Sequence, residues 1–183
     1  MIRYVVSVIA VVFLGIFQVS FLTTWPWPVS SLNLILSLII FLAVIISYPR
    51  ALGWAFGCGL FLELYSGVFF GLTTLALILT VIAINFLFNN FFTNRSKYSL
   101  LIIGFLGTLI YNLIFLLGAA AAYYFNFFRR EGLFDLWSIF FWQPIFNLII
   151  LMIIFLAYQL TSNRLKSIFL MSGVTNYEIK HRP

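Results

Sequence analysis

One carboxylate dominates the chemistry available to this chain. Glu63 is the only acidic residue within its long apolar segments. It sits inside Gly57–Gly71, which reads Gly-Cys-Gly-Leu-Phe-Leu-Glu-Leu-Tyr-Ser-Gly-Val-Phe-Phe-Gly. A charge in a membrane segment is costly, and such residues face protein or water. Three roles fit it. It can hydrogen-bond a partner or shape a cavity. It can reach interfacial water from the end of its helix. Or it can accept hydrogen bonds from free backbone N–H groups around Gly67–Thr73, at the positive end of the following helix.

Few other residues could react or ligate. The single histidine, His181, lies in the C-terminal tail, and the single cysteine, Cys58, lies in an apolar run and permits no intrachain disulfide. No His, Cys, Asp or Glu cluster has metal-ligand spacing. There is no Ser-His-Asp set and no phosphate loop. Four acidic residues in the whole chain leave little for acid–base catalysis. The expectation is a protein that is not an enzyme and carries no cofactor or metal. Asn85, Asn89, Asn112 and Asn147 read as interhelical hydrogen-bond partners. Gly53/Gly57 and Gly67/Gly71 have the four-residue spacing that lets two helix backbones approach. For Gly67/Gly71, turn geometry is the better reading.

These residues must be positioned by membrane helices. The chain has 183 residues, 64% hydrophobic and only 8% charged, with a mean hydropathy of +1.14. A soluble domain carries roughly 25% charged residues, so there is too little polar surface for a water-soluble globule. A membrane β-barrel fits poorly, because its strands alternate apolar and polar residues. Segments such as Leu100–Ile103 and Leu148–Leu156 are apolar on every side. The fold expected is an all-α integral membrane protein of about six transmembrane helices. It forms one domain over 1–160, with a short basic cytoplasmic tail over 161–183.

In order, helix 1 covers Met1–Leu22, with Gln18 near its far end. A loop with Trp25, Pro26, Trp27 and Pro28 follows, the tryptophans marking a membrane interface. Ser30 or Ser31 caps helix 2, about Leu32–Tyr48, which Pro49-Arg50 ends. From Ala51 to Phe92 the only charge is Glu63. That run is about twice the ~20 residues one span needs, so it turns once, at Ser66-Gly67. Helix 3 is then the short Ala51–Tyr65, about 22 Å at ~1.5 Å per residue. Helix 4 runs from about Thr73 to Phe92, with Thr73 and Thr74 as candidate caps. Helix 5 covers about Ser99–Phe125 and helix 6 about Leu136–Leu160.

With the N-terminus inside, the inner segments carry Arg3, Arg50, Arg95, Lys97, Arg164, Lys166, Lys180 and Arg182, and the outer loops only Arg129 and Arg130. This positive-inside bias places both termini in the cytoplasm. The same distribution explains the net charge of +6 without nucleic acid. Arg164 and Lys166, beside Leu165, Ile168 and Phe169, suit anionic membrane lipids, unless helix 6 simply extends through them.

The stretch Glu63-Leu64-Tyr65-Ser66-Gly67-Val68-Phe69-Phe70-Gly71-Leu72, with Gly59 four residues before the glutamate and Leu75 after, resembles the signature of the rod-shape-determining MreD family. The likeness extends to length, six spans, a Trp/Pro-rich first outer loop and a last helix containing Gln143-Pro144-Ile145-Phe146-Asn147. The family usually has aspartate where this chain has Glu63. The resemblance implies a multi-pass protein of the bacterial inner membrane. It implies a scaffolding or regulatory role in cell-wall peptidoglycan synthesis by the cell-elongation complex, which maintains cell shape. Its partners would be MreC, a RodA-type glycosyltransferase, a class B penicillin-binding protein and, indirectly, the MreB filament. The residues taken as structural or interaction sites are Glu63, Ser66, Gly67, Gly71, Gly59, Asn112 and Asn147. The family fold resembles the substrate-binding components of energy-coupling-factor vitamin transporters, which supplies the alternative function. The Ala-x-x-x-Ala docking pattern of those components is absent here, because Ala10 is followed four later by Leu14.

Overall fold

The structure is a computed structural model and describes residues 2–22, 24–26, 29–65, 70–91, 97–124 and 140–161. Among these, all regular structure is helical. The six helices are α1 (Ile2–Phe17), α2 (Leu34–Phe41), α3 (Tyr48–Tyr65), α4 (Leu72–Phe91), α5 (Lys97–Tyr124) and α6 (Phe140–Thr161). α1 and α2 each end in a wider π-helical turn, Gln18–Leu22 and Leu42–Ile46. α4, α5 and α6 are long and apolar enough to cross a membrane; Ser7–Leu22 and Leu34–Ile46 are shorter apolar helices. The tail beyond residue 161 and residues 66–69, where the sequence predicts a turn at Ser66-Gly67, lie outside the described residues.

α2 is the central helix. Ile35, Leu36, Ile39, Ile40 and Val44 are completely buried, on adjacent stripes one helical turn apart. Around them pack Ala51, Ala55 and Cys58 of α3, Leu77, Val81 and Ile84 of α4, Ile103 of α5 and Leu151 of α6. Glycines let α5 approach its neighbours. A Cβ on Gly107 would lie 2.8 Å from Ile84 of α4 and 3.4 Å from Ile40 of α2, and one on Gly104 3.2 Å from Leu151 of α6. The outward faces are equally apolar. Leu75, Leu79, Ile82 and Phe86 form an exposed stripe on α4, and Ile145, Ile149 and Ile153 another on α6. Such continuous apolar exposure suits hydrocarbon and not water.

The helix boundaries correct the sequence reading at three places. Pro49 does not end helix 2; it is the second residue of α3, which has 18 residues and begins at Tyr48. Proline is favoured in a first turn, where its missing N–H has no partner to lose. The break falls at Ser47, which is extended (φ −169°, ψ 144°). α2 begins at Leu34, and its cap is Asn33, not Ser30 or Ser31. α4 begins at Leu72, so Thr73 and Thr74 lie inside its first turn and are not its caps.

Candidate functional site

Three of the buried polar side chains, Glu63, Thr73 and Thr74, lie where α3 ends and α4 begins. Glu63 is only 5% exposed despite its charge. Its Oε1 accepts a hydrogen bond of 2.7 Å from the backbone N–H of Thr74. Thr74 is the third residue of α4, so its N–H is one of those left without an intrahelical acceptor. An N-cap side chain ordinarily supplies that acceptor. Here the cap position falls to Gly71, whose carbonyl accepts the first helical bond, from Leu75 N at 2.9 Å. Gly71 has no side chain, so Glu63 reaches across from α3 and takes the cap's place. The donor lies one residue beyond the Gly67–Thr73 segment that the sequence singled out.

Gly59 makes this reach possible. It sits one turn before Glu63 on α3. A Cβ there would lie 2.7 Å from Thr74 Cα and 2.8 Å from Thr74 Oγ1. Only glycine lets the first turn of α4 close to this distance. Gly71 has a φ of +97°, a left-handed conformation that side chains disfavour. No atom lies within 4 Å of a Cβ built on it, so the backbone angle and not crowding calls for glycine. Ser66 and Gly67 lie outside the described residues.

A second knot ties the start of α2. The Gln18 side chain donates from Nε2 to Leu32 O and accepts at Oε1 from Leu34 N, both at 2.9 Å. Asn33 Oδ1 accepts from Leu36 N at 2.9 Å, capping α2. Asn147 Oδ1 of α6 accepts from Asn33 N at 2.9 Å. Ser37 Oγ lies 3.1 Å from Asn33 O and 3.4 Å from Asn147 O. Tyr111 of α5 is buried and joins this second knot. Its hydroxyl is within hydrogen-bonding reach of the Asn33 side chain.

Asn147 thus joins helices, as its type suggests. Asn112 is buried on α5, with its Nδ2 lacking a protein partner among the described residues. Among the described residues, Asn85 and Asn89 pair with each other along α4, Nδ2 to Oδ1 at 3.4 Å, and not across helices. Glu63 Oε2, Thr74 Oγ1 and Asn147 Nδ2 are also buried without a protein partner among the described residues. Such atoms cost about 1–3 kcal/mol each when nothing answers them.

Sequence reasoning missed the importance of Gln18, Asn33, Ser37 and Tyr111. One signal was available: Gln18 is the only amide in the first apolar run. Its partners were not legible, because a glutamine does not announce which backbone groups it will meet. The described residues hold no group of three or more His, Cys, Asp or Glu able to bind a metal.

Fold and site together define an all-helical membrane protein with a buried polar clamp at one end of the bundle. Compared with known proteins, the chain matches no protein-family model, no curated protein and no solved structure.

Proposed function

We propose that the chain is a non-enzymatic scaffold of the bacterial cell-elongation machinery. It would cross the inner membrane six times with both termini in the cytoplasm. It would present a fixed surface to MreC, a RodA-type glycosyltransferase and a class B penicillin-binding protein, and through them to the MreB filament. The observation that carries this reading is the Glu63–Thr74 hydrogen bond of 2.7 Å. It falls in the segment that resembles the MreD signature. There it binds protein backbone, so the carboxylate serves architecture in place of reaction chemistry. Gly59 serves the same end by seating α4 on α3. The test is isolation of the full chain from cell membranes in mild detergent, followed by identification of what comes with it. Cell-elongation proteins are expected. Their absence, with normal cell shape after removal of the gene, would refute the reading.

A second reading, the substrate-binding component of a vitamin transporter, draws on one observation. Glu63 Oε2, Asn112 Nδ2 and Asn147 Nδ2 are buried without protein partners among the described residues, and a polar small molecule could use them. Recovery of a stoichiometric vitamin-like compound from the same preparation would reverse the ranking.

A further inference from the structure

A wedge-shaped groove runs between α1 and α3, and its graded width indicates what fills it. At the Glu63 end the two helices are in close contact, and a Cβ on Gly15 would collide with the ring of Phe61. Further along, a Cβ on Gly57 would find only the Val11 side chain, at 3.6 Å. Further still, a Cβ on Gly53 would find nothing within 4 Å. The helices therefore splay towards the Arg50 end and leave a groove of about 810 Å³. Its walls are Val8, Val11 and Val12 on one side and Gly53, Gly57 and Leu60 on the other.

The open end is where the polarity lies. Arg50 and Trp54 both line the groove, one turn apart on the same face of α3. Neither the Arg50 guanidinium nor the Trp54 indole N–H has a hydrogen-bond or ion-pair partner among the described residues. Arginine is expelled from hydrocarbon and tryptophan prefers the interface, so the open end lies at headgroup level. Phe61, whose ring lies against Gly15 of α1, is eleven residues further along α3, about 16 Å at 1.5 Å per residue, and Leu64 lines the groove one turn beyond it. Those ~16 Å are close to one leaflet of a ~30 Å hydrocarbon core.

We propose that this groove is a binding site for one glycerophospholipid with a net negative headgroup. The phosphate pairs with Arg50, the Trp54 indole donates to a headgroup or ester oxygen, and an acyl chain lies over Gly53 and Gly57 towards Phe61. Two features argue against a partner's transmembrane helix. A helix is about 10 Å wide along its whole length, whereas the space between α1 and α3 narrows to side-chain contact at Gly15 and Phe61. A second copy of the chain in parallel register would also bring Arg50 against Arg50.

The test uses the full chain, purified in detergent, stripped of lipid and supplied with equal amounts of dioleoyl phosphatidylglycerol and dioleoyl phosphatidylcholine. Native mass spectrometry counts the lipid retained. The wild type is expected to keep one phosphatidylglycerol with about tenfold preference, the scale set by a charge-assisted hydrogen bond. Arg50→Gln should lose the preference. Gly53→Leu, which fills open space, should lose retention of both lipids while Cys58 stays shielded from thiol reagents. Equal retention of the two lipids by the wild type would overturn the proposal. So would unchanged phosphatidylglycerol retention in Arg50→Gln, a surface change that does not threaten folding. So would a stoichiometric membrane protein released by Gly53→Leu.

Discussion

Replacing Glu63 by leucine tests the clamp directly. Leucine removes the acceptor of the 2.7 Å bond and leaves the Thr74 N–H buried with no partner. The unpaired N–H costs about 1–3 kcal/mol, and loss of a helix N-cap of this kind about 0.5–2 kcal/mol. These are two views of one lost bond and are not summed. Leucine also relieves the burial of a carboxylate whose Oε2 is unpartnered, which offsets part of the loss. The net destabilisation expected is about 2 kcal/mol, or roughly 4–8 °C in the unfolding midpoint of a chain this size. Glu63→Gln keeps an acceptor for Thr74 N. Its loss should stay below about 1 kcal/mol. The assay is built into the protein. Cys58 is the only cysteine and is buried, so a thiol-reactive dye reports unfolding in detergent without further engineering. If Glu63→Leu melts at or above the wild-type temperature, or if Glu63→Gln melts lower than Glu63→Leu, the clamp does not hold α4.

Gly59→Ala should lower the midpoint by several degrees in the same assay, because its Cβ would sit 2.7 Å from Thr74 Cα, whereas Gly53→Ala, facing open space, should not. Asn147→Leu and Gln18→Leu should each cost about 1–3 kcal/mol by orphaning backbone groups at the start of α2. The double variant should cost less than the sum if the two act as one knot, as a double-mutant cycle would reveal. Reporter fusions after Arg50, Arg95 and Lys166 should read cytoplasmic and one after Glu131 periplasmic; a periplasmic reading at Arg95 would refute six spans.

The fold was legible where one physical rule acted alone. The start of α4 falls within a residue of its expected place, because the glycine-containing turn before it breaks the apolar run. Glu63 stood out for the same reason, as a lone charge in an apolar run. Two rules competed at Pro49. Proline both ends helices and begins them, and only the extended Ser47 decides between the two. The Gln18–Asn33–Asn147 knot was illegible for a different reason. Asn33 N meets an acceptor 114 residues away, and Gln18 bonds backbone, which every residue carries. The capping role of Asn33 was readable in principle, since asparagine directly precedes Leu34, but two nearby serines offered the same chemistry.

The concentration of directional bonds in one half of the bundle gives the molecule a mechanical polarity. In lipid, helices gain no hydrophobic force by associating, so apolar packing alone is a soft restraint. The half containing Gln18, Asn33, Glu63 and Asn147 is pinned by hydrogen bonds between helices. In the opposite half α1 parts from α3 and leaves open space at Gly53. The bundle therefore resembles a pair of calipers riveted at one end, with compliance increasing towards the free tips. Changes in bilayer thickness or lateral pressure act mainly on those tips. Amide hydrogen exchange should run along the same gradient, earliest in the first turn of α3 and latest near Glu63.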